Sequence, residues 1–249
     1  MREPKTKLDV ALANWHRDEM LARKAVIDAD FSAEAEFVKG LIRRATRRSD
    51  LVHGRILNVA SGPRDVIDYW HTGERHAIDP LAEEYKQGFA EFLDPAVKYV
   101  AGFAEKLPYE DSFFDVVIIR NGLDHLDDPY QALAEAHRVL KPDGCLYVSL
   151  YVYTPLQSAL FRLVNAVART FATEPWAFTV GRLKKAFARG GFELRRHLLE
   201  DVSWARGNLA GASWGTRARH FIKHSIMGFG TQLFMGVAMP RKTSRAETS

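Results

Sequence analysis

Apolar positions along this chain change their period from one stretch to the next, and those changes outline an order of elements. Over residues 8–48, Leu8, Leu12, Trp15, Met20 and Leu21 fall near helical spacing. The pattern breaks at Phe31-Ser32 and resumes through Phe37, Leu41 and Ile42, with Ser32 and Glu36 placed to cap a second helix. Arg43, Arg44, Arg47 and Arg48 close that helix, where cations suit its dipole. From Arg55 the texture becomes short apolar runs ended by small residues or proline. Strands are expected at Arg55–Ala60, His76–Pro80, Val97–Ala101, Phe114–Ile119 and Cys145–Leu150. Helices are expected at Asp65–Trp70, at 81–93 and after Asp128-Pro129, where an Asp cap precedes a proline in the first turn. Residues 155–190 read as helical around a loop near Trp176, a strand begins at Gly191-Phe192, and Thr231–Met239 reads as the last strand.

Strands alternating with helices predict an α/β fold: a doubly wound, mostly parallel, Rossmann-like sheet with helices on both faces. The organisation expected is a helical N-terminal cap over 1–50, an α/β core over 51–154 and a helical insertion over 155–230 with a strand near 191–200. A strand at 231–240 closes the sheet, and a disordered tail covers 241–249.

Composition narrows the class. Of 249 residues, 47% are hydrophobic and 27% charged, which excludes a disordered chain. A single cysteine, Cys145, excludes a disulfide framework and a multi-thiolate metal site and points to a reducing cytoplasm. No apolar stretch is long enough to predict a membrane-spanning helix, and no signal peptide is expected at the N-terminus. The net charge is +4, but residues 201–249 hold 7 basic and 2 acidic side chains. That local excess suits an anionic acceptor, a membrane surface or nucleic acid, or is simply a solvated face.

The first strand, ended by Ser61-Gly62-Pro63 and followed by a helix, has the form of an anion or nucleotide cradle: small residues admit the ligand, and a helix N-terminus offers N–H donors. Asp79 follows Asn58 by 21 residues, at the end of the second strand, where a carboxylate can accept from both hydroxyls of a ribose.

Four segments, in order, resemble the class I S-adenosylmethionine-dependent methyltransferases of the small-molecule type related to ubiquinone and sterol methyltransferases. They are Ile56–Pro63, Ala77–Pro80, Ala104–Val117 and Leu123–Pro129 continuing through Ala134–Gly144. The resemblance implies S-adenosylmethionine as cofactor, S-adenosylhomocysteine as product and a small-molecule acceptor, a metabolite, sugar or lipid-linked group, methylated on oxygen. The implied cofactor residues are Asn58, Ala60, Ser61, Gly62, Arg64, Asp79, Pro80, Phe103, Ala104, Glu105 and Asn121. Against the family's acid-x-Gly-x-Gly-x-Gly loop, Asn58, Ala60 and Arg64 are departures and only Gly62 is retained. Arg64 either contacts the carboxylate of the cofactor's methionine part or is a surface arginine. Phe103 stands where an acid is usual, and either packs on the adenine or belongs to the core.

The segment Arg120–His125 lacks the Pro-Pro of nucleobase amino methyltransferases, which disfavours that substrate class. His125 is the candidate general base, with Asp124 to orient it or act itself; a structural histidine beside a capping or solvated aspartate is the competing reading. Tyr151, Tyr153 and Trp176 are candidates to line the acceptor pocket, against plain core packing. No metal site is expected. Trp204 and Trp214 among Arg206, Arg217 and Arg219, and the apolar Phe221–Phe229, suit an acceptor site or a peripheral membrane contact. Two other readings stay open: a non-catalytic binding module, from the altered loop, and an RNA methyltransferase, from the basic C-terminal end. A nucleic-acid partner is disfavoured because no basic stripe accompanies a recognisable RNA module.

Overall fold

The computed structural model describes residues 29–168, 176–201 and 231–241. Its helices are α1 (Ser32–Thr46), α2 (Ala82–Gly88), α3 (Pro129–Val139), α4 (Pro155–Ala168) and α5 (Val180–Arg189). Its strands are β1 (Arg55–Val59), β2 (Glu74–Asp79), β3 (Val97–Ala101), β4 (Phe114–Arg120), β5 (Leu140–Val152), β6 (Phe192–Asp201) and β7 (Gln232–Pro240). The seven strands form one sheet in the order β3-β2-β1-β4-β5-β7-β6. The pairs β3–β2, β2–β1, β1–β4 and β4–β5 are parallel, while β7 runs antiparallel to both β5 and β6. The sheet is therefore mostly parallel and doubly wound, as the alternation of periods predicts.

The core strands read as continuous apolar runs because helices or loops cover both faces. Val116, Val117, Ile118 and Ile119 of β4 are all fully buried. Leu57, Val59, Val117 and Ile119 face α3 and α5 through Leu133, Ala136, Leu183 and Phe187. Ile56, Val116 and Ile118 face α1 through Ala35, Val38, Leu41 and Ile42, so α1 is one of the layers on the sheet. The N-cap of α1 is Phe31, not Ser32, and makes no side-chain cap; Asp30 Oδ1 accepts from Ser32 N at 2.8 Å just ahead of it. Asp128 caps α3 as expected, accepting from Tyr130 N and Gln131 N, each at 3.0 Å. Trp70 is wholly buried between the layers. It donates from Nε1 to Val52 O at 2.9 Å and accepts from Lys39 Nζ on its carbonyl at 2.6 Å.

Two expectations are corrected. Asp65–Trp70 is not a helix but a single 3-10 turn, Val66–Tyr69. Asp65 and Asp68 close it on itself, since Asp65 Oδ1 accepts from Val66 N and Asp68 Oδ2 accepts from Asp65 N. The chain then leaves through His71 and Gly73, both at positive φ. Lys141–Gly144 is not a turn before the fifth strand but an irregularity within it. Pairing to β4 jumps from Phe114↔Leu140 to Val116↔Cys145, so β5 starts at Leu140.

Among the described residues no helix is long and apolar enough to cross a membrane. The expected helix before Phe31, the aromatic and basic residues of 202–230, and the tail beyond Arg241 lie outside the described residues.

Two stability effects follow. Trp70→Ala should lower unfolding free energy by about 3–5 kcal/mol, read from urea denaturation, because a filled space is emptied and the Val52 carbonyl loses one of its two donors, keeping Thr72 Oγ1. His76 is buried among Tyr109, Phe113 and Phe114, with ring centroids 5.5, 5.9 and 5.2 Å away. Burial holds its pKa below the ordinary 6.5 despite its bond to Glu74. The native state thus keeps the ring neutral while the unfolded chain protonates it. The stability tied to this ring is whole above pH 6.5 and lost as pH falls from there toward the depressed native value. His76→Phe should flatten the fall of melting temperature between about pH 6.5 and pH 5.5 relative to wild type.

Candidate functional site

The carboxyl ends of β1, β2, β4 and β5 meet along one rim of the sheet, where a parallel α/β sheet presents its ligand crevice. At that rim β1 ends in Val59, and the chain turns through two left-handed residues, Ala60 (φ 52°) and Gly62 (φ 62°). A methyl group built on Gly62 would meet no atom within 4 Å, so this turn faces open space. Gly62 N donates to Asp79 Oδ2 at 3.0 Å. Asp79 Oδ1 accepts from Leu81 N at 3.0 Å and from Tyr85 OH at 3.2 Å. The β2 carboxylate is therefore fixed between the β1 loop and the start of α2. Ser61 N completes the turn by donating to Ile78 O at 3.3 Å, and its Oγ donates to Gly62 O at 3.1 Å. Pro80 is half-buried beside it, in the turn after Asp79.

Ala60 carries a methyl where the family pattern has glycine, and the structure accommodates it from the neighbouring strand. A Cβ on Gly122 would stand 2.9 Å from Ala60 Cβ, so the methyl occupies room left by Gly122. Gly122 is a residue that the sequence reading passed over. Asn121, just before it, has a left-handed φ of 49° and donates its N–H to Ser149 O at 2.7 Å.

Behind the loop, Asn58 meets a pair that the sequence reading missed, Asp65 and Arg120. Asn58 is wholly buried, and its Nδ2 donates to Asp65 Oδ2 at 3.0 Å. Arg120, the last residue of β4, donates from Nε to Asp65 Oδ1 and places its guanidinium 4.6 Å from the Phe31 ring centroid. The apolar run Val116–Ile119 ending in an arginine was the signal available for this contact. Below it, Asp68 accepts from Tyr99 OH and Asp94 N, and burial raises its carboxyl above the ordinary range. Tyr147 lies in the same layer, its hydroxyl pushed up to about 12 by burial.

Beyond β3, Gly102 N donates to Asp79 O at 3.2 Å. Phe103 stands out from the surface at 36% exposure, not in the core, while Ala104 is buried. The Glu105 carboxylate is used within the protein, Oε1 accepting from Asp127 N at 3.0 Å and Asp128 N at 3.1 Å. It thereby ties the β3 loop to the segment carrying His125. In that segment Asp124 is buried and His125 exposed, with His125 N donating to Gly122 O at 3.0 Å. Trp176 braces it from the other side, its Nε1 donating to Leu126 O at 2.8 Å and its ring lying against Tyr130 and Phe178.

The remaining candidates are distributed less tightly. Arg64 lies with its guanidinium 5.0 Å from the Tyr69 ring centroid, beside the 3-10 turn. Tyr151 is half-buried in β5 opposite Leu233. Tyr153 is buried against Phe161, the two rings 5.9 Å apart and nearly parallel. Cys145 is fully buried, its thiol pushed up to about 12, consistent with a small apolar residue. Among the described residues no cluster of three His, Cys, Asp or Glu side chains is arranged to hold a metal ion.

Residues 57–148 match the family model described as a methyltransferase domain. The chain is 35% identical over 137 residues to the ubiquinone/menaquinone biosynthesis C-methyltransferase of Stutzerimonas stutzeri, an alignment covering 49% of this chain and 54% of the relative. It is 43% identical over 88 residues to the human mitochondrial 2-methoxy-6-polyprenyl-1,4-benzoquinol methylase, covering 34% of this chain and 24% of that protein. The chain thus spans about half the length of the first relative and less of the second. The solved geranyl diphosphate C-methyltransferase of Streptomyces coelicolor has the same fold, with a TM-score of 0.63 at 15% identity over 84% of this chain and 80% of that one. The matched segment, the strand order and the motif order agree: over residues 57–148 the chain is similar to methyltransferase domains.

Proposed function

We propose that this protein transfers the methyl group of S-adenosylmethionine to a small-molecule acceptor and releases S-adenosylhomocysteine. The observation that carries the reading is the Asp79 carboxylate, held by Gly62 N, Leu81 N and Tyr85 OH at the rim of the sheet beside a left-handed, open turn. These donors fix the carboxylate at the rim, with its oxygens placed where ribose hydroxyls can donate to it. Phe103, exposed at the lip of the same rim, supplies an apolar wall for a purine, and Ala104 a backbone donor. Pro80 and Ser61 shape the turns on either side. Asn121 lines the β4 end.

When bound, the cofactor presents a methyl group on a cationic sulfonium as the electrophile. The chain's part is to align an acceptor with that methyl and take its proton. His125 is the exposed base on the β4–α3 segment. Glu105 and Trp176 hold that segment from two sides, at Asp127–Asp128 and at Leu126. Asp124, buried next to it, is the group to orient the imidazole. Tyr151 and Tyr153, leaving the β5 end, are the candidates to meet the acceptor.

A hydroxyl is the first acceptor proposed. A ring carbon beside a hydroxyl is the second, supported by relatives named as C-methyltransferases. Removing the hydroxyl proton makes either atom nucleophilic, so His125 serves both. A cytoplasmic site of action and a peripheral membrane contact through residues 202–230 are further parts of this proposal.

Asp79→Ala should weaken S-adenosylhomocysteine binding by about ten- to hundredfold in calorimetric titration, about the worth of one charge-assisted hydrogen bond. Unchanged affinity would remove the ribose assignment, and absence of binding to wild type would favour a non-catalytic module. His125→Gln should lower kcat by about 10²–10⁴, with S-adenosylhomocysteine affinity preserved, on any hydroxylated aromatic that wild type methylates in a screen. Full turnover in this variant would exclude the base role.

A further inference from the structure

An open sheet has two edges, and each edge strand leaves a row of backbone N–H and C=O groups without a ladder partner. Here the edge strands are β3 and β6, and they differ. β3 is five residues long, and its single charged side chain, Lys98, is spent on Glu74 of the neighbouring strand. β6 has ten residues, and among the described residues it pairs only with β7. A long open edge is a template for a further strand unless a bulge or charged side chains blunt it.

β6 has a bulge, but only near its start. Pairing steps from Leu194↔Ala238 to Arg196↔Val237, with Arg195 as the extra residue, and is regular from Arg196 to Asp201. In the regular stretch the charges are ordered by sign, Arg196 at its start and Glu200 near its end. Both side chains are exposed, and among the described residues neither forms an ion pair. Their neighbours are occupied: Arg195 pairs with Glu193 at 3.1 Å, and Asp201 accepts from Gln232 Nε2 at 2.9 Å. Arg196 and Glu200 are four residues apart, so they share a face of the strand. Leu198 stands midway between them, half-buried on the α1 layer. Leu199 is 41% exposed on the opposite face.

We infer that β6 pairs antiparallel with β6 of a second copy of this chain, about a two-fold axis at Leu198. The two seven-stranded sheets then run on as one. This register sets Arg196 opposite the partner's Glu200, and symmetry forms that pair twice. Leu198 meets the partner's Leu198, and His197 meets the partner's Leu199. Directly opposite residues of an antiparallel pair touch, so opposite charges there attract and like charges repel. Charges of one sign along the edge would turn a second copy away. Ordered by sign, they admit it in this orientation, whereas a parallel pairing in register would set arginine on arginine. The contact is small, so the dimer forms and dissociates with concentration.

Sedimentation velocity of the full chain, from about 1 to about 200 μM, tests this pairing. Wild type should pass from monomer toward dimer within that range. Arg196→Glu and Glu200→Arg should each raise the dimer Kd by about tenfold or more, because each change places like charges opposite one another twice. Both positions are exposed, so each variant should melt close to wild type. Mixed in equal amounts, the two variants should associate with each other, since every charged contact across the axis then joins opposite signs. A wild type that stays monomeric throughout the range overturns the inference. A dimer that both variants keep at full strength also overturns it, and would point to another surface such as the exposed Leu156, Leu160 and Leu163 of α4. Folded variants that fail to pair when mixed overturn it as well.

Discussion

A carboxylate set among strand ends, almost out of reach of water, has to be met by donors on every side, and Asp65 shows how those donors shape a site. Asn58 reaches it from β1, Arg120 from β4 and Val66 from the turn itself. The first two fix the separation of the central parallel strands at their functional ends. The third closes the turn that replaces a helix. One step away, Asp79 performs the matching task between β1 and β2, with Gly62, Leu81 and Tyr85 as its donors. Removing one partner from such a group leaves a buried charge uncompensated, which costs far more than the bond is worth when intact. These two carboxylates therefore make the rim rigid before any ligand arrives, and a prearranged rim lowers the ordering cost of binding.

The departures from the family loop look like losses when each position is read alone. In the fold they are coupled. Ala60 occupies the room left by Gly122, and Asn58 lacks a charge that Asp65 supplies seven residues later. Arg120 answers that charge from a neighbouring strand. The altered loop is thus a consistent local solution with its own polar partners.

How far the chain itself announces all this depends on the range of the interaction concerned. Val97–Ala101, Phe114–Arg120 and the helix after Asp128-Pro129 follow from local period and capping, because each is decided within its own residues. The 3-10 turn was hidden, because Asp65 and Asp68 resemble ordinary first-turn acids and only tertiary contacts with Asn58, Arg120 and Tyr99 show where they are spent. The start of β5 was hidden for a related reason. Lys141-Pro142-Asp143-Gly144 carries every local sign of a turn, yet pairing with Phe114 holds the strand on either side of it. Asp79 was legible from its spacing and Glu105 from the motif. That Glu105 is occupied with Asp127 N and Asp128 N could be learned only from the fold.

The central claim is that the rim at Asp79 and the loop after β1 is a cofactor site. Its most direct test is a crystal structure with S-adenosylhomocysteine bound. The account predicts the ribose hydroxyls on the Asp79 carboxylate and the purine beside Phe103. Ligand density elsewhere, or a ribose turned away from Asp79, would contradict it.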